Sequence, residues 1–248
     1  MDISKMNSLK DQNFIQQLSI DCVIFGYEEK KLKVLVPKLY FEGDFWALPS
    51  GFIFQNEGID QAARRIIEQR TGIDEMYLEQ FRVFGDASRS NKEFLDRLQT
   101  LNDEKLGNLL GMKAEYDWIT NRFVSIGYLA LVDIRKVVPR KSEIDQSIDW
   151  FDIKEIPRLV IDLSLMVSKA VESLRLKFDE NLIGCHLLPE TFTMKELQEL
   201  YETVFNKPFA RNNFQKKILD INILERLEKK FTGAANKAPF LYRLKKEK

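Results

Sequence analysis

The C-terminal quarter of the chain has a pattern that only a few small folds satisfy. Phe192–Phe205 starts with a complete helix-start signature, because Thr193 can cap the first turn and Glu196 can reach back to its backbone. After a short proline-containing turn, Arg211–Ile221 repeats apolar residues at helical spacing. Two amphipathic helices this short must bury their apolar sides against each other, so the sequence predicts a helix-turn-helix.

Two extended segments complete this region, Leu224–Lys229 and Phe240–Leu244. Helix, turn, helix and hairpin in this order predict a winged helix-turn-helix over residues 192–248. From Lys207 onwards there are twelve Lys or Arg residues and four acids, a net charge of +8 in a chain that is neutral as a whole. A basic module on an acidic body indicates an anionic partner for that module, although a solvated lysine-rich tail would have the same composition.

The second predicted helix places amides and cations opposite its apolar side. At about 100° per residue, Asn212 and Lys216 point away from Phe214. Amides can pair with adenine in the major groove and cations contact phosphates, so we expect double-stranded DNA as the partner. A helical protein-interaction module with the same packing is the alternative. The residues expected to contact DNA are Arg211, Asn212, Asn213, Gln215, Lys216, Lys217 and Lys237.

Residues 1–178 alternate strand-like and helix-like patterns. Extended segments and helices interspersed in this way favour an α/β/α layered domain, and residues 179–191, which have no clear period, are expected to form the linker. The predicted strands are Ser19–Tyr27, Leu32–Tyr40, Phe45–Ile53, Tyr77–Gly85, Arg122–Ile134 and Ile148–Ile153, and the predicted helices are Ile59–Arg70, Lys92–Leu110 and Leu163–Phe178.

Several function classes are excluded by composition. The two cysteines, Cys22 and Cys185, are far apart and fit neither a disulfide framework nor a zinc site. The single histidine, His186, is expected to be structural. No apolar run reaches the roughly 18–20 residues of a membrane span, and no signal-peptide pattern is present, which predicts a cytoplasmic protein without a membrane partner.

Gly51–Ile73 resembles the 23-residue Nudix box. The matching residues are Gly51, Glu57, Arg65, Ile67, Gly72 and Ile73, and the preceding Trp46–Pro49 resembles the W-x-L-P that leads into the box. The resemblance implies the Nudix fold, an α/β/α sandwich with a mixed sheet. In that family three further acids hold a divalent metal, but their positions here are Ile66, Gln69 and Arg70.

These three positions share one helix face, where magnesium would require carboxylates. The charge of Arg70 would repel the metal, because two unit charges about 4 Å apart repel by roughly 4 kcal/mol at an effective dielectric near 20. A divalent ion roughly doubles this repulsion. We therefore expect no metal site, no cofactor, no catalytic residues and no metal-dependent hydrolysis. Arg65 is expected to form a structural salt bridge with Glu57 or Glu68 rather than to act in catalysis.

The whole chain is similar to the Nudix-related transcriptional regulators, which join a Nudix-like effector domain to a winged helix. The resemblance implies a homodimer that binds a palindromic operator and responds to a metabolite, with ADP-ribose-type nucleotides and pentose sugars as effectors in different branches. A helical insertion over residues 90–121 departs from the family and could be a lid, a dimer element or a decoration. Leu163 stands where relatives commonly have histidine.

We therefore predict a regulator that senses a sugar, a sugar phosphate or an ADP-ribose-type nucleotide. A Nudix hydrolase acting on a nucleoside diphosphate derivative is the alternative, and an adaptor is a third possibility. Nudix ligands lie between the box and neighbouring strands, where arginines suit phosphate and an aspartate suits sugar hydroxyls. The residues expected to bind the effector are Trp46, Arg65, Arg70, Asp86, Arg89 and Arg122.

Overall fold

The computed structural model of the 248-residue chain describes residues 14–89, 92–102, 121–230 and 238–245. Six strands of the N-terminal part form one mixed sheet: β1 (Phe14–Glu28), β2 (Lys31–Leu39), β3 (Ser50–Phe54), β4 (Tyr77–Phe84), β5 (Val124–Leu131) and β6 (Asp145–Asp152). Their order is β4-β5-β1-β2-β6, with β3 on the N-terminal half of β1. Only β1 and β5 run parallel; the other pairs are antiparallel.

Helices cover both faces of this sheet. Helix α1 (Ile59–Thr71) packs on one face, where Ile20, Ile24 and Tyr128 are buried. Helix α3 (Leu163–Lys177) packs on the other, against residues such as Val23. The alternation of side chains along β1 sends even-numbered residues to α1 and odd-numbered residues to α3, which is why this strand is apolar throughout its centre.

Two predicted strands are shorter in the structure. The segment predicted over Phe45–Ile53 is a strand only from Ser50, because Trp46 makes isolated bridges and Pro49 has no N–H to donate to a ladder. The strand predicted to reach Ile134 ends at Leu131. Asp133 then accepts a hydrogen bond from the backbone N–H of Arg135 and starts a short 3-10 turn.

The helix predicted over Lys92–Leu110 is α2 (Lys92–Leu101) as far as the structure describes it; residues 103–120 lie outside the described part. Helix α1 ends as predicted, with Gly72 in the left-handed conformation. Within the described residues, no helix combines the length and apolar character that crossing a bilayer requires.

The C-terminal part contains helices α4 (Met194–Phe205) and α5 (Arg211–Asp220) and a small sheet of β7 (Phe192–Thr193), β8 (Leu224–Lys229) and β9 (Phe240–Leu244). The predicted cap is present: Thr193 Oγ1 accepts from the Glu196 N–H at 3.2 Å, and the Glu196 carboxylate accepts from the Thr193 N–H at 2.6 Å. Helix, helix and hairpin form a winged helix, which confirms the predicted order of elements.

The segment between the two parts is packed. Residues Glu180–Leu187 form 3-10 turns interrupted by a kink at Asn181 and Leu182, and the side chains of Leu182 and Leu187 are buried. Gly184 lies so close to the ring of Phe178 that a Cβ atom there would collide with it. The apolar core that begins under the sheet therefore continues through this segment into α4 and α5. That residues 179–191 separate two domains stays a prediction.

Candidate functional site

The box helix α1 presents no face suited to a divalent cation. Ile66 is 2% exposed and belongs to the core between α1 and the sheet, while Gln69 is exposed to solvent. The Arg70 guanidinium is buried, donating to the carboxylate of Asp145 and to the carbonyl oxygen of Arg140. A metal would have to displace a buried guanidinium, so the residues present do not fit one. Among the described residues, no group of three His, Cys, Asp or Glu side chains is arranged to hold a metal.

Arg65 and Glu57 form a bidentate salt bridge at the start of the same helix. Arg65 Nε lies 2.9 Å and Nη2 lies 2.6 Å from the two Glu57 carboxylate oxygens. Nη2 also donates to the carbonyl oxygen of Phe52 at 2.8 Å, and the guanidinium stacks over the ring of Phe54. Arg65 lowers the pKa of the Glu57 carboxyl by hydrogen bonding to it. The pair fixes the loop between β3 and α1, which is the structural role predicted for Arg65.

A cavity of about 720 Å³ opens beside α2, and we call it the α2 cavity. Its wall combines three arginines with four carboxylates and three aromatic rings. The loop before β3, the loop after β4, the first turns of α2 and the loop before α3 all contribute. These residues are Asp44, Phe45, Trp46, Asp86, Arg89, Glu93, Phe94, Arg97, Arg158 and Asp162.

Helix α2 is fixed to the body as one wall of this cavity. Phe94 contacts Phe45 edge to face with ring centroids 5.4 Å apart, and Arg97 lies over the same Phe45 ring. Asn102 closes the helix by exchanging two hydrogen bonds with the backbone of Glu42, at 2.8 and 2.9 Å. The start of the insertion is therefore a rigid wall of the cavity; residues 103–120 of it are outside the described part.

Arg89 is a buried side chain of the cavity wall. Its guanidinium pairs with Asp162 through two hydrogen bonds, Nε–Oδ2 at 2.8 Å and Nη2–Oδ1 at 3.1 Å, and Nη1 donates to the Phe123 carbonyl at 2.8 Å. The Arg89 side chain is only 6% exposed. Burial raises the pKa of the nearby Asp21 carboxyl, while Ser125 and Arg89 act in the opposite direction. Among the described residues, Arg89 is thus the cation of a small polar group that also contains Asp162, Asp21 and Ser125.

Trp46 lines the same cavity. Its indole nitrogen is buried and lies near the carboxyl of Asp44, whose pKa is lowered by hydrogen bonding with Lys38 and Trp46. Its ring contacts Phe151 edge to face, with centroids 5.1 Å apart, and the amine of Lys38 lies 5.3 Å above it.

Helix α5 of the winged helix has the side-chain distribution expected for reading DNA. Phe214 and Ile218 are buried against α4, whereas Asn212, Asn213 and Lys216 are exposed. Arg211 is also exposed and Gln215 is half-buried. Lys217 differs from the others because its amine lies 2.5 Å from a carboxylate oxygen of Asp179, at the end of α3. Lys237 lies outside the described residues.

Comparisons with known proteins agree with this geometry. Residues 184–244 match the family described as the NrtR DNA-binding winged helix domain. The solved structure of Shewanella oneidensis NrtR in complex with a 27mer DNA superposes with a TM-score of 0.71 at 24% identity, covering 93% of this chain and 94% of that one. A MutT/nudix family protein from Enterococcus faecalis superposes with a TM-score of 0.67 at 18% identity, covering 93% of this chain and 87% of that one.

The chain shares the fold of these two proteins, and its C-terminal part is a winged helix of the NrtR type. Its Nudix-type domain precedes an NrtR-type winged helix, and the predicted α/β/α sandwich with a mixed sheet is confirmed. A curated relative from Acinetobacter baylyi, named "ADPR responsive transcriptional repressor NtrR", is 23% identical over 256 residues, covering 96% of this chain and 90% of that protein.

The Nudix-type domain brings together three of the six residues predicted to bind an effector, namely Trp46, Asp86 and Arg89. Asp86 accepts hydrogen bonds from the N–H and hydroxyl of Ser88, and these lower the pKa of its carboxyl. Arg122 is exposed and close enough to Asp86 to lower that pKa further. Arg65 and Arg70 are held by Glu57 and Asp145 and are not part of the cavity wall.

Sequence reasoning missed two arginines of the cavity, Arg97 and Arg158. Arg97 follows Phe94 at i+3 on α2, so both point to one side of that helix. This spacing was a usable signal, but it lies in the insertion, for which the family pattern has no equivalent. Arg158 precedes α3 in an irregular loop, and no local pattern indicates where its side chain points.

We expect Arg70→Met to destabilise the fold by about 3–5 kcal/mol, because it leaves the buried Asp145 carboxylate without its cation. The double variant Arg70→Met/Asp145→Asn should recover part of this loss, since both charges are gone. Urea unfolding measures the effect. Gln69→Glu restores a family acid at an exposed position and should change stability by less than about 0.5 kcal/mol. A neutral Arg70→Met would show that the ion pair is not buried as described.

The Glu57–Arg65 pair predicts a pH dependence. The folded pKa of Glu57 lies below its unfolded value, so the pair stabilises the fold above the unfolded pKa, and this contribution is lost as pH falls through the folded pKa. Between about pH 5 and pH 3, Glu57→Gln should therefore lose less thermal stability than the wild type does. Glu68→Gln, an exposed carboxylate of α1, is the control and should follow the wild-type curve. Parallel curves for Glu57→Gln and the wild type would contradict the prediction.

Proposed function

We propose that this chain is a DNA-binding transcriptional regulator whose DNA affinity is set by a small molecule bound in the Nudix-type domain. The observation that carries the proposal is the exposed face of α5, where Asn212, Asn213 and Lys216 project from a winged helix of the NrtR type. Amides and cations on such a helix suit base edges and phosphates of the major groove. The Shewanella oneidensis relative that superposes over 93% of this chain was solved bound to DNA.

The α2 cavity supports the second part of the proposal. Its volume of about 720 Å³ is within the range of roughly 300–1,000 Å³ that is typical of small-molecule sites. Arg89, Arg97 and Arg158 suit phosphate groups, and the carboxylates of Asp86 and Glu93 suit the hydroxyls of a sugar. The aromatic rings of Trp46 and Phe94 offer surfaces for stacking a base. Together these groups favour a phosphorylated sugar or a nucleotide sugar over a neutral apolar ligand.

ADP-ribose is the first candidate effector. It contains a base, two phosphates and two riboses, which match the three kinds of side chain in the cavity. The Acinetobacter baylyi relative is named as responsive to ADPR, which supports the same choice. Pentose sugars and sugar phosphates are the competing candidates, and they would use fewer of the cavity's arginines.

We propose a homodimer that binds a palindromic operator in the cytoplasm. A winged helix of this size contacts one half-site, so two copies related by a two-fold axis would read both halves. A change in the spacing or angle of the two α5 helices would then lower operator affinity. Loss of binding on effector addition would make the protein a repressor that the metabolite releases.

Hydrolysis is not part of the proposed function. The three positions of the box that would carry metal-binding acids hold a buried isoleucine, an exposed amide and a guanidinium paired with Asp145. Glu57, the box acid that remains, is engaged by both nitrogens of Arg65. No reaction step can be assigned to this arrangement.

DNA binding is tested by mobility-shift titration with palindromes from the region around the protein's own gene. Lys216→Ala should weaken binding to all sequences and lower the slope of log affinity against log salt by about 1. Asn212→Ala should instead reduce discrimination between operator and mismatched sites, at about 1–3 kcal/mol for a lost bidentate contact. Lys141→Ala removes a cation from the Nudix-type domain and should leave affinity unchanged. Equal affinity for every sequence at every salt concentration would contradict the proposal.

Effector binding is tested by thermal shift with ADP-ribose, ribose 5-phosphate and a free pentose. A true ligand at 100 times its dissociation constant adds about 2.7 kcal/mol of stability. Arg97→Gln and Arg158→Gln should reduce the shift, while Arg64→Gln, an exposed arginine of α1, should not. The shift should be the same with magnesium or EDTA, and no nucleotide monophosphate should be released. Magnesium-dependent cleavage would instead establish the hydrolase alternative.

A further inference from the structure

Helix α3 connects the α2 cavity to the winged helix. It starts directly after Asp162, whose carboxylate holds Arg89 through two hydrogen bonds. Leu165, in its first turn, also lines the cavity. The helix then runs for 15 residues, about 22 Å at 1.5 Å per residue. Its far end lies at the winged helix, so one rigid element touches both functional regions.

The far end of α3 is attached to the winged helix by polar contacts and by packing. Arg175 Nε donates to the Val204 carbonyl in the last turn of α4 at 2.8 Å. Asp179, just after α3, pairs with Lys217 of α5 at 2.5 Å. Between them Phe178 is fully buried and lies 4.8 Å from Tyr201, centroid to centroid. These contacts make the orientation of α4 and α5 depend on the position of α3.

The two kinds of contact differ in what they contribute. The Asp179–Lys217 pair is about half exposed on both sides, with side-chain exposures of 47% and 48%, and such pairs stabilise a fold by at most about 1 kcal/mol. The aromatic contacts of Phe178 supply the stiffness. The directional bonds of Arg175 and Asp179 select one orientation among those that the aromatic packing allows.

The other end of α3 depends on a contact that an anionic ligand can replace. Arg89 is one of the three arginines of the cavity and is bound by Asp162, a carboxylate on the first residue before the helix. A phosphate or carboxylate group of a ligand would compete with Asp162 for the same guanidinium. Packed helices respond to such changes by shifts of about 1–2 Å as rigid bodies.

We propose that α3 is the element that couples the cavity to the DNA-reading helix, with Arg89–Asp162 as its input contact and Arg175–Val204 and Asp179–Lys217 as its output contacts. The proposal rests on the proposed function and adds that the effector must present an anionic group to Arg89. It also changes the role expected for Lys217. In the proposal, this side chain orients α5 through its ion pair with Asp179 and does not contact DNA.

The proposal is tested on the full chain without a ligand, through operator affinity. Asp162→Asn breaks the input contact and should change operator affinity by about 5-fold to 150-fold, the usual span of allosteric coupling. In the output variant Arg175→Gln/Asp179→Asn, adding Asp162→Asn should change affinity by less than about twofold. The control variant Lys169→Gln/Asp220→Asn also removes one cation and one carboxylate, from α3 and α5. In this control, the effect of Asp162→Asn on operator affinity should be as large as in the wild type.

A second measurement needs neither DNA nor ligand. Hydrogen–deuterium exchange of residues 211–220 should become faster in Asp162→Asn and return towards the wild-type rate in Asp162→Glu, which keeps the charge. Unchanged exchange in folded Asp162→Asn would overturn the proposal, as would an effect on operator affinity that persists in the output variant. If the wild-type protein binds no DNA, while Asp162→Asn and Asp162→Glu show the expected exchange rates, the proposed function is refuted and the coupling through α3 is supported.

Discussion

One uninterrupted apolar core joins the central sheet to the winged helix, and the arrangement of both parts depends on it. Valines and leucines of the sheet pack on α3, the end of α3 buries Phe178, and Phe178 contacts Tyr201 and Phe205 of α4. Because interiors are close-packed, this core holds the sheet and the winged helix in one arrangement. This continuity distinguishes the chain from two domains joined by a flexible linker, in which the DNA-reading part would move independently.

Whereas the apolar core is shared by both parts of the chain, the net charge differs between them. The last 42 residues carry a net charge of +8, and the preceding residues carry −8. The acidic body is repelled by DNA while the basic module is attracted, so approach favours one orientation. Within the body, three arginines are each paired with one carboxylate: Arg65 with Glu57, Arg70 with Asp145 and Arg89 with Asp162. Arg70, at a position where the Nudix-box pattern has an acid, is the cationic half of a buried pair.

Local patterns were sufficient to predict most of the fold. The cap formed by Thr193 and Glu196 and the glycine that ends α1 depend on residues within four positions of each other, and both are present. The side chains of the candidate site were harder to predict, since their partners are distant in the sequence. Arg70 and Asp145 are 75 residues apart, and Arg89 and Asp162 are 73 apart. The box motif locates Arg70 on α1, but no pattern in the sequence identifies the carboxylate that it meets.

The contact between Gly184 and the ring of Phe178 has an evolutionary consequence. Because there is no room for even a methyl group at that glycine, the junction does not tolerate added bulk there. A winged helix grafted from another protein would have to pack against Phe178 and the segment around Gly184, or the graft would sit at a different angle. When genes of this architecture recombine, the junction around Phe178 and Gly184 and the winged helix should therefore be exchanged as one unit.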